Sequence, residues 1–396
     1  MSTPQEAITA PPKATGFLKD NLRDFGMLIS LAVIVVFFQI ATDGVLLKPL
    51  NVTNIVLQNS YIVIMALGML MVIVTGHIDL SVGSVAGFIG GLAGLLMVSY
   101  GINLAVAIVI CLAVGAVIGG IQGYFVAYFK IPSFIVTLAG MLVFRGLMIA
   151  ILGSQAIGPF PPIFQKLSSG YVLELISSSG GLYITSFLIG LVLAVILIIQ
   201  NFASRKRRVS HGVETEPFGF FVAKNLVVLA AVGYIAYLIS SHRGLPNVLI
   251  IMAALIAAYG FLTTRTVVGR QIYAVGGNIR AAELSGIKAN RLVFFTFVNM
   301  GFLAALGGLV VAARLNSATP KAGAGFELDV IAACFIGGAS AYGGVGKVTG
   351  AVIGAFLMGV MNNGMSILGI GIDYQQVIKG LVLLGAVCVD VYNQRR

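Results

Sequence analysis

Charge is scarce in this chain. Of its 396 residues only 9% are Asp, Glu, Lys or Arg, whereas 59% are hydrophobic. Charge that sparse cannot cover the surface of a soluble globule of this length, so the chain reads as an integral membrane protein. Tryptophan is absent, and any interfacial belt must rest on the 13 tyrosines and on Lys and Arg. Cys111, Cys334 and Cys388 stand singly in apolar runs, with no CxxC spacing and no His pair nearby, which argues against disulfides and metal sites. The catalytic templates are missing too: there is no GxSxG, no HExxH and no nucleophile with a base beside it. The GGVGKV run at 343–348 lacks the spacing of a phosphate loop, because Ala341 stands where its first Gly belongs and Val348 where Ser or Thr would hold magnesium. Glycine is abundant, at 50 residues, but aperiodic, which excludes a collagen reading and suits closely packed membrane helices.

What is present is a succession of apolar runs. A helix needs about 20 mostly apolar residues to cross a bilayer, and this ruler predicts twelve spans, at 27–45, 59–76, 84–100, 103–129, 132–152, 181–200, 225–241, 246–264, 291–313, 327–345, 348–368 and 373–391. The spans at 59–76 and 327–345 carry Gly, Ser and Asp at their ends and are candidates for broken or re-entrant helices, with ten full crossings as the alternative. The expected fold is therefore all-α and polytopic: a segment 1–26, one transmembrane domain 27–392 and a tail 393–396. The polar first 25 residues, with Pro4, Pro11 and Pro12, precede an apolar run without a small-residue cleavage site, so the first span is expected to stay as an anchor.

The net charge of +11 is not a nucleic-acid signature, because the basic residues cluster between apolar spans. Lys13, Lys19 and Arg23, the run Arg205 to Arg208 in loop 201–224, Arg265, Arg270, Arg280 and Lys288 in loop 265–290, and Arg395 and Arg396 fall on one side of a twelve-span chain. The positive-inside rule makes that side cytoplasmic, with both termini on it, and the run Arg205 to Arg208 near anionic lipid headgroups. Loops 153–180 and 314–326, rich in Pro, Gly and Ser, are expected outside as irregular surface structure. Small residues recur every four positions at Gly87 and Gly91, at Gly115, Gly119 and Gly123, and at Gly346, Gly350 and Gly354, giving faces for close helix approach. A polar break before a glycine-striped helix at both 75–87 and 337–350 hints at an internal repeat.

Polar side chains at membrane depth are costly and each is a candidate for function. His77, Asp79, Ser81, Ser84, Asn299, Asn362 and Asn363 are the candidates for a translocation path. Asp79 has two readings, an N-cap for the span that follows or a wall of a polar path at a helix break. Asn362 and Asn363 also fit interhelical hydrogen bonds. Arg145 is expected to pair with a buried carboxylate, Asp79, Glu327 or Asp329.

The stretch 269–287, GRQIYAVGGNIRAAELSGI, is polar and glycine-punctuated between two apolar runs. Asn278 is suited to cap a short helix and Gly286 to stop it. Ala281 and Ala282 would leave a low surface, Leu284 an apolar anchor, and Arg270, Arg280 and Lys288 a basic surround. It reads as a docking element.

Four segments, GHIDLSVGS at 76–84, PSFIVTLAGMLVFRG at 132–146, the 269–287 stretch and ELDVIAACFIGGASAYGGVGKVTGAVIGAF at 327–356, together resemble the permease subunits of bacterial sugar ABC importers of the ribose and xylose type. The DLSVGS element is similar to the sugar branch rather than the branched-chain amino-acid branch, and the extra stretch near 181–240 resembles the longer xylose or multiple-monosaccharide members. His77 departs from the pattern, where many relatives carry a small or acidic residue. The resemblance implies an inner-membrane permease, dimeric with a second copy, that receives a monosaccharide from a periplasmic binding protein and is driven by a cytoplasmic ATPase. That ATPase, not this chain, would use ATP and Mg, and no cofactor is expected here. The resemblance further implies that Gly269, Arg270, Ala274, Gly276, Asn278, Ala281, Ala282, Ser285 and Gly286 form the coupling helix element inserted into the ATPase. The rival reading from the residues is an ion-coupled secondary transporter using Asp79, Glu327 or Asp329.

Overall fold

The computed structural model describes residues 22–153, 155–176, 181–212 and 216–394. Lys13, Lys19, Arg395 and Arg396, counted above for orientation, lie outside the described residues. The chain is helical throughout: α1 (Leu22–Ala41), α2 (Pro49–Val74), α3 (Val82–Gly94, continued by a π-helical turn Leu95–Ser99), α4 (Leu104–Ala127), α5 (Ser133–Leu152), the single turn α6 (Pro162–Gln165), α7 (Ile184–Ser210), α8 (Phe218–Ser240), α9 (Asn247–Arg265), α10 (Val267–Gly277), α11 (Ile279–Leu284), α12 (Ala289–Leu315), α13 (Phe326–Ile336), α14 (Val348–Ile367) and α15 (Ile372–Gln394). Among the described residues nine helices, α2 to α5, α7 to α9, α12 and α14, are long and apolar enough to cross a membrane. Their ends follow local chemistry. Pro132, Pro217 and Pro246 precede α5, α8 and α9, the Asn103 side chain accepts the Ala105 amide at the start of α4, and Gly153 ends α5 in the left-handed region.

The core is α2, whose residues Asn59 to Val74 are all buried. This corrects the expected break at 59–76: residues 59–74 are the unbroken C-terminal part of one 26-residue helix, and only Thr75 and Gly76 lie past its end. Antiparallel to it runs α12. Glycines bring the neighbours of α12 to backbone contact, since a Cβ at Gly119 or Gly115 would overlap the carbonyls of Phe297 or Gly301, and one at Gly308 would overlap that of Ala86. Without a hydrophobic drive between helices in lipid, such close approach is what holds them. The Gly350 and Gly354 stripe of α14 does the same against Gly337 and Ala333.

The second suspected break is real but differently built. The eleven residues of α13 rise only about 16 Å, half a bilayer. The other half is crossed without helix by 316–325: Ala318 lies against Gly94, Ala322 against Gly87 and Gly323 against Gly83. The eleven positions between Gly94 and Gly83 correspond to about 16 Å along α3. Residues 316–325 are irregular, as expected, but they lie along α3 instead of standing clear of the bundle: Lys321 and Ala324 are exposed, whereas Ala318 is 2% exposed and pairs with Ile157 in a short backbone bridge. The polar segments 75–81 and 337–347 meet in space, Gly343 lying against Gly76 and the Gly344 amide donating to the Val74 carbonyl at 2.8 Å. They meet at the face of the molecule that also holds 128–133, α10, α11 and the start of α12, referred to below as the basic face.

Candidate functional site

Between α9 and α12 the chain makes an elbow on the basic face. Thr266 ends α9 in extended backbone, and its hydroxyl oxygen accepts the Gly269 amide at 3.0 Å, which starts α10. Asn278, again extended, ends α10 and caps α11, its Oδ1 accepting the Ala281 amide at 3.0 Å. Gly286 turns left-handed, with φ +83°, and returns the chain to α12.

One side of the elbow is fixed. Ile272, Val275, Ala282 and Ala289 are buried. A Cβ at Gly276 would overlap the Val74 carbonyl and the Gly344 amide, so α10 touches backbone of both the end of α2 and the 337–347 link. A Cβ at Gly269 would overlap Leu262 and Thr263 of α9. Tyr273 donates its hydroxyl to the Gly346 carbonyl at 2.7 Å, and burial pushes its phenol above the ordinary value. The other side is open: Ala274, Asn278, Arg280, Ala281, Glu283, Ser285 and Lys288 are exposed, as is Arg270, and Leu284 is 90% exposed. Ala282 is therefore corrected. It faces the protein at 4% exposure, and only Ala281 of the two alanines lies on the open side. Gly269 and Gly276 likewise serve close packing within the chain.

Within the bundle the polar residues form two groups. Asp79 is buried, and its Oδ1 accepts from the Ser81 amide at 2.8 Å and the Ser81 hydroxyl at 2.7 Å, while Ser81 also meets Gln122 of α4. This is a turn leading into α3 and not a cap of it, since the cap position is Ser81 and it makes no side-chain cap bond. Ser84, one turn on, is buried with no hydrogen-bond partner for its hydroxyl, and His77 is half-buried beside Phe297. The second group surrounds Asp329 on α13. Lys379 of α15 lies 2.9 Å from Oδ1, and Tyr61 of α2 and Asn362 of α14 donate to Oδ2 at 2.9 and 3.2 Å. Asn363 accepts from Asn51 at 2.8 Å, which ties α14 to α2, and Asn299 accepts from Tyr259. The expected partnership of Arg145 with Asp79 or Asp329 is not found; Arg145 acts electrostatically on Glu327, and Asp329 is neutralised by Lys379.

A profile described as branched-chain amino acid transport system / permease component matches residues 51–387. The chain belongs to that permease family. The xylose transport system permease protein XylH of Escherichia coli K12 is 39% identical over 398 residues, covering 100% of this chain and 99% of that protein. Its counterpart in Haemophilus influenzae is 38% identical over 95% of this chain and 98% of the relative. The ribose import permease protein RbsC of Escherichia coli K12 is 33% identical over 87% of this chain and 86% of the relative. No solved structure matches significantly. In this permease the residues that sequence reasoning missed are Tyr61, Gln122, Tyr273 and Lys379. Lys379 carried a signal, a lone charge within an apolar run; the other three are visible only once the helices are packed.

Proposed function

We propose that this permease is the membrane subunit of an ATP-driven importer that moves a monosaccharide, a pentose such as xylose or a related hexose, across the bacterial inner membrane by alternating access. The relatives named for xylose and ribose support the substrate class. The observation that carries the coupling is the elbow: an exposed leucine on a capped helix, with no hydrophobic neighbour to cover it, joined by backbone contact to the end of the most buried helix. An exposed apolar anchor on a rigid mount suits insertion into a partner. In this reading Leu284, Ala281, Arg270, Arg280 and Ser285 meet a cytoplasmic ATPase, which binds ATP and Mg and hydrolyses the nucleotide, while this chain performs no chemistry. Gly269, Ala274, Gly276, Asn278, Ala282 and Gly286 shape and seat the elbow. The basic face is cytoplasmic, with both termini on it, and the opposite face receives sugar from a periplasmic binding protein.

Sugar is neutral and rich in hydroxyls, so its path calls for dispersed hydrogen-bonding groups without a fixed counter-charge. Ser84, with its unpartnered buried hydroxyl, and His77 suit such a path; Ser81 and Asn363 are engaged in bonds between helices, and Asp79 in a bond to Ser81. A second copy of the chain completes the translocation unit. Of the three carboxylates that the ion-coupled alternative would use, Asp329 is already paired with Lys379, which leaves that alternative Asp79 and Glu327.

The test is sugar-dependent ATP hydrolysis in proteoliposomes that hold the permease, its ATPase and the binding protein. Leu284→Asp and Ala281→Glu, both on the open side, are expected to abolish stimulation while the permease keeps its elution profile. Concentrative uptake by the chain alone, indifferent to ATP and to both substitutions, would overturn the importer reading.

A further inference from the structure

Beside the elbow lies a cleft of about 520 Å³ between the last turns of α9, the start of α10 and the N-terminus of α14. Arg270 and Lys347 line it, together with Tyr273 and Thr349. Its remaining wall is Ile256, Gly260, Thr263 and Thr264 of α9, with Gly346 and Val348, the first residue of α14. The helix α14 enters the cleft without a side-chain cap, and its ladder begins with the Ala351 amide bonding to the Lys347 carbonyl at 3.0 Å, so the amides of Val348 and Thr349 precede the first intrahelical bond. Cationic side chains and helix amides favour an anion. The apolar wall belongs to α9, a helix long and apolar enough to cross the membrane, whose neighbouring Phe261 is 63% exposed. An anion that also presents an apolar body satisfies both halves.

We propose that this cleft binds the headgroup of an anionic phospholipid, with the phosphate between Arg270, Lys347 and the start of α14, and the glycerol and upper acyl chains along Ile256 and Gly260. A basic pocket between helices at a membrane boundary has the chemistry for such a headgroup. Because Tyr273 fastens α10 to Gly346 at the rim of the same cleft, the lipid bridges α9, α10 and α14 and braces the mount of the elbow. Arg270 then has a role within the membrane boundary rather than only toward a partner protein.

The experiment needs neither ATPase nor sugar, so its result is independent of the importer reading. The purified chain is equilibrated in mixed micelles of phosphatidylglycerol and phosphatidylcholine, and the retained lipid is quantified by mass spectrometry for wild type, Arg270→Gln, Lys347→Gln and Gly260→Phe. The Cβ of residue 260 would meet no atom within 4 Å, so Gly260→Phe has room at its branch point and places a ring at the cleft wall without altering its charge. The expected result is preferential retention of phosphatidylglycerol by wild type, a preference reduced roughly fivefold by each lost cation and abolished by Gly260→Phe. Equal retention in wild type and Gly260→Phe would overturn the proposal, as would displacement of the lipid by glycerol 3-phosphate alone, which would mark a site for soluble phosphates. Arg270→Gln alters an exposed residue, and an unchanged preference in that variant would also count against the proposal.

Discussion

The charge on Lys379 is held inside the bundle by one carboxylate and shares that carboxylate with Tyr61 and Asn362. Removing Lys379 leaves Asp329 buried without its counter-charge, a change that costs about 3 kcal/mol, whereas removing Asp329 leaves a Lys379 that is 21% exposed and costs less. Lys379→Met and Asp329→Leu are each expected to lower the unfolding midpoint in detergent. The double variant, apolar on both sides, is expected to recover most of the loss; a double variant as unstable as the sum of the two would show that the residues act separately. Why the sequence disclosed Asp329 but not its partner is instructive. A carboxylate at the start of an apolar helix is conspicuous by itself, whereas the choice between Arg145 and Lys379 depends on α15 packing against α13, which no local pattern encodes. The same limit applies on the elbow. The Asn278 cap and the Gly286 turn are local and legible from residue type, but the side on which Ala282 falls is set by how α11 rests on its neighbours.

Among elements, glycine decides which helices touch. The Gly301 position lies against the Gly115 carbonyl and the Gly119 backbone, so Gly301→Val must drive α4 and α12 apart; the expected outcome is loss of monodisperse protein in size-exclusion chromatography. Gly146→Ala, in the middle of α5 where a Cβ meets nothing within 4 Å, is expected to fold as wild type and to gain up to about 1 kcal/mol from helix propensity. If both variants behave alike, close packing is not what fixes the bundle. The short helix α11 depends instead on its cap. Asn278→Ala removes the acceptor for the Ala281 amide at a cost of about 1 kcal/mol, and faster hydrogen exchange across 279–285 is expected, with Asn278→Asp restoring protection. Unchanged exchange in Asn278→Ala would mean that burial of Ala282, not the cap, holds α11. The small-residue spacing that brings helices together was readable in the sequence, as was the weakness near 327–345. That 316–325 would carry half a crossing as a run of turns was not, because its Pro, Gly and Ser content is equally that of a surface loop, and only contact with the glycines of α3 gives its backbone a place inside.

For the molecule as a whole, the number of passes and the placement of the basic face are one question. Nine helices are long and apolar enough to cross on their own. In the packed bundle α1, α15 and the composite pass of 316–325 with α13 also run from one face to the other: Met27 lies near Gly350 and Phe38 near Gly364, and Asp390 accepts from Ala341 while Gln375 reaches Ser366. Twelve passes are then expected, which would put Lys48 and Leu173 on one face and Leu284 on the other. Ten passes, obtained by removing α2 and the composite pass, would put Lys48 and Leu284 together and Leu173 opposite. Single cysteines at these three exposed positions, in a chain whose exposed Cys388 is changed to Ser while the buried Cys111 and Cys334 are kept, separate the two arrangements. An impermeant maleimide applied to intact cells with permeabilised outer membranes is expected to label Lys48→Cys and Leu173→Cys, and to reach Leu284→Cys only in inverted vesicles. Labelling of Leu284→Cys from outside would place the elbow where no cytoplasmic ATPase could meet it, and labelling of Lys48→Cys together with Leu284→Cys would restore the ten-pass chain. Because the elbow is locked by backbone contact to the end of α2, the topology of that one buried helix decides which compartment reads Leu284.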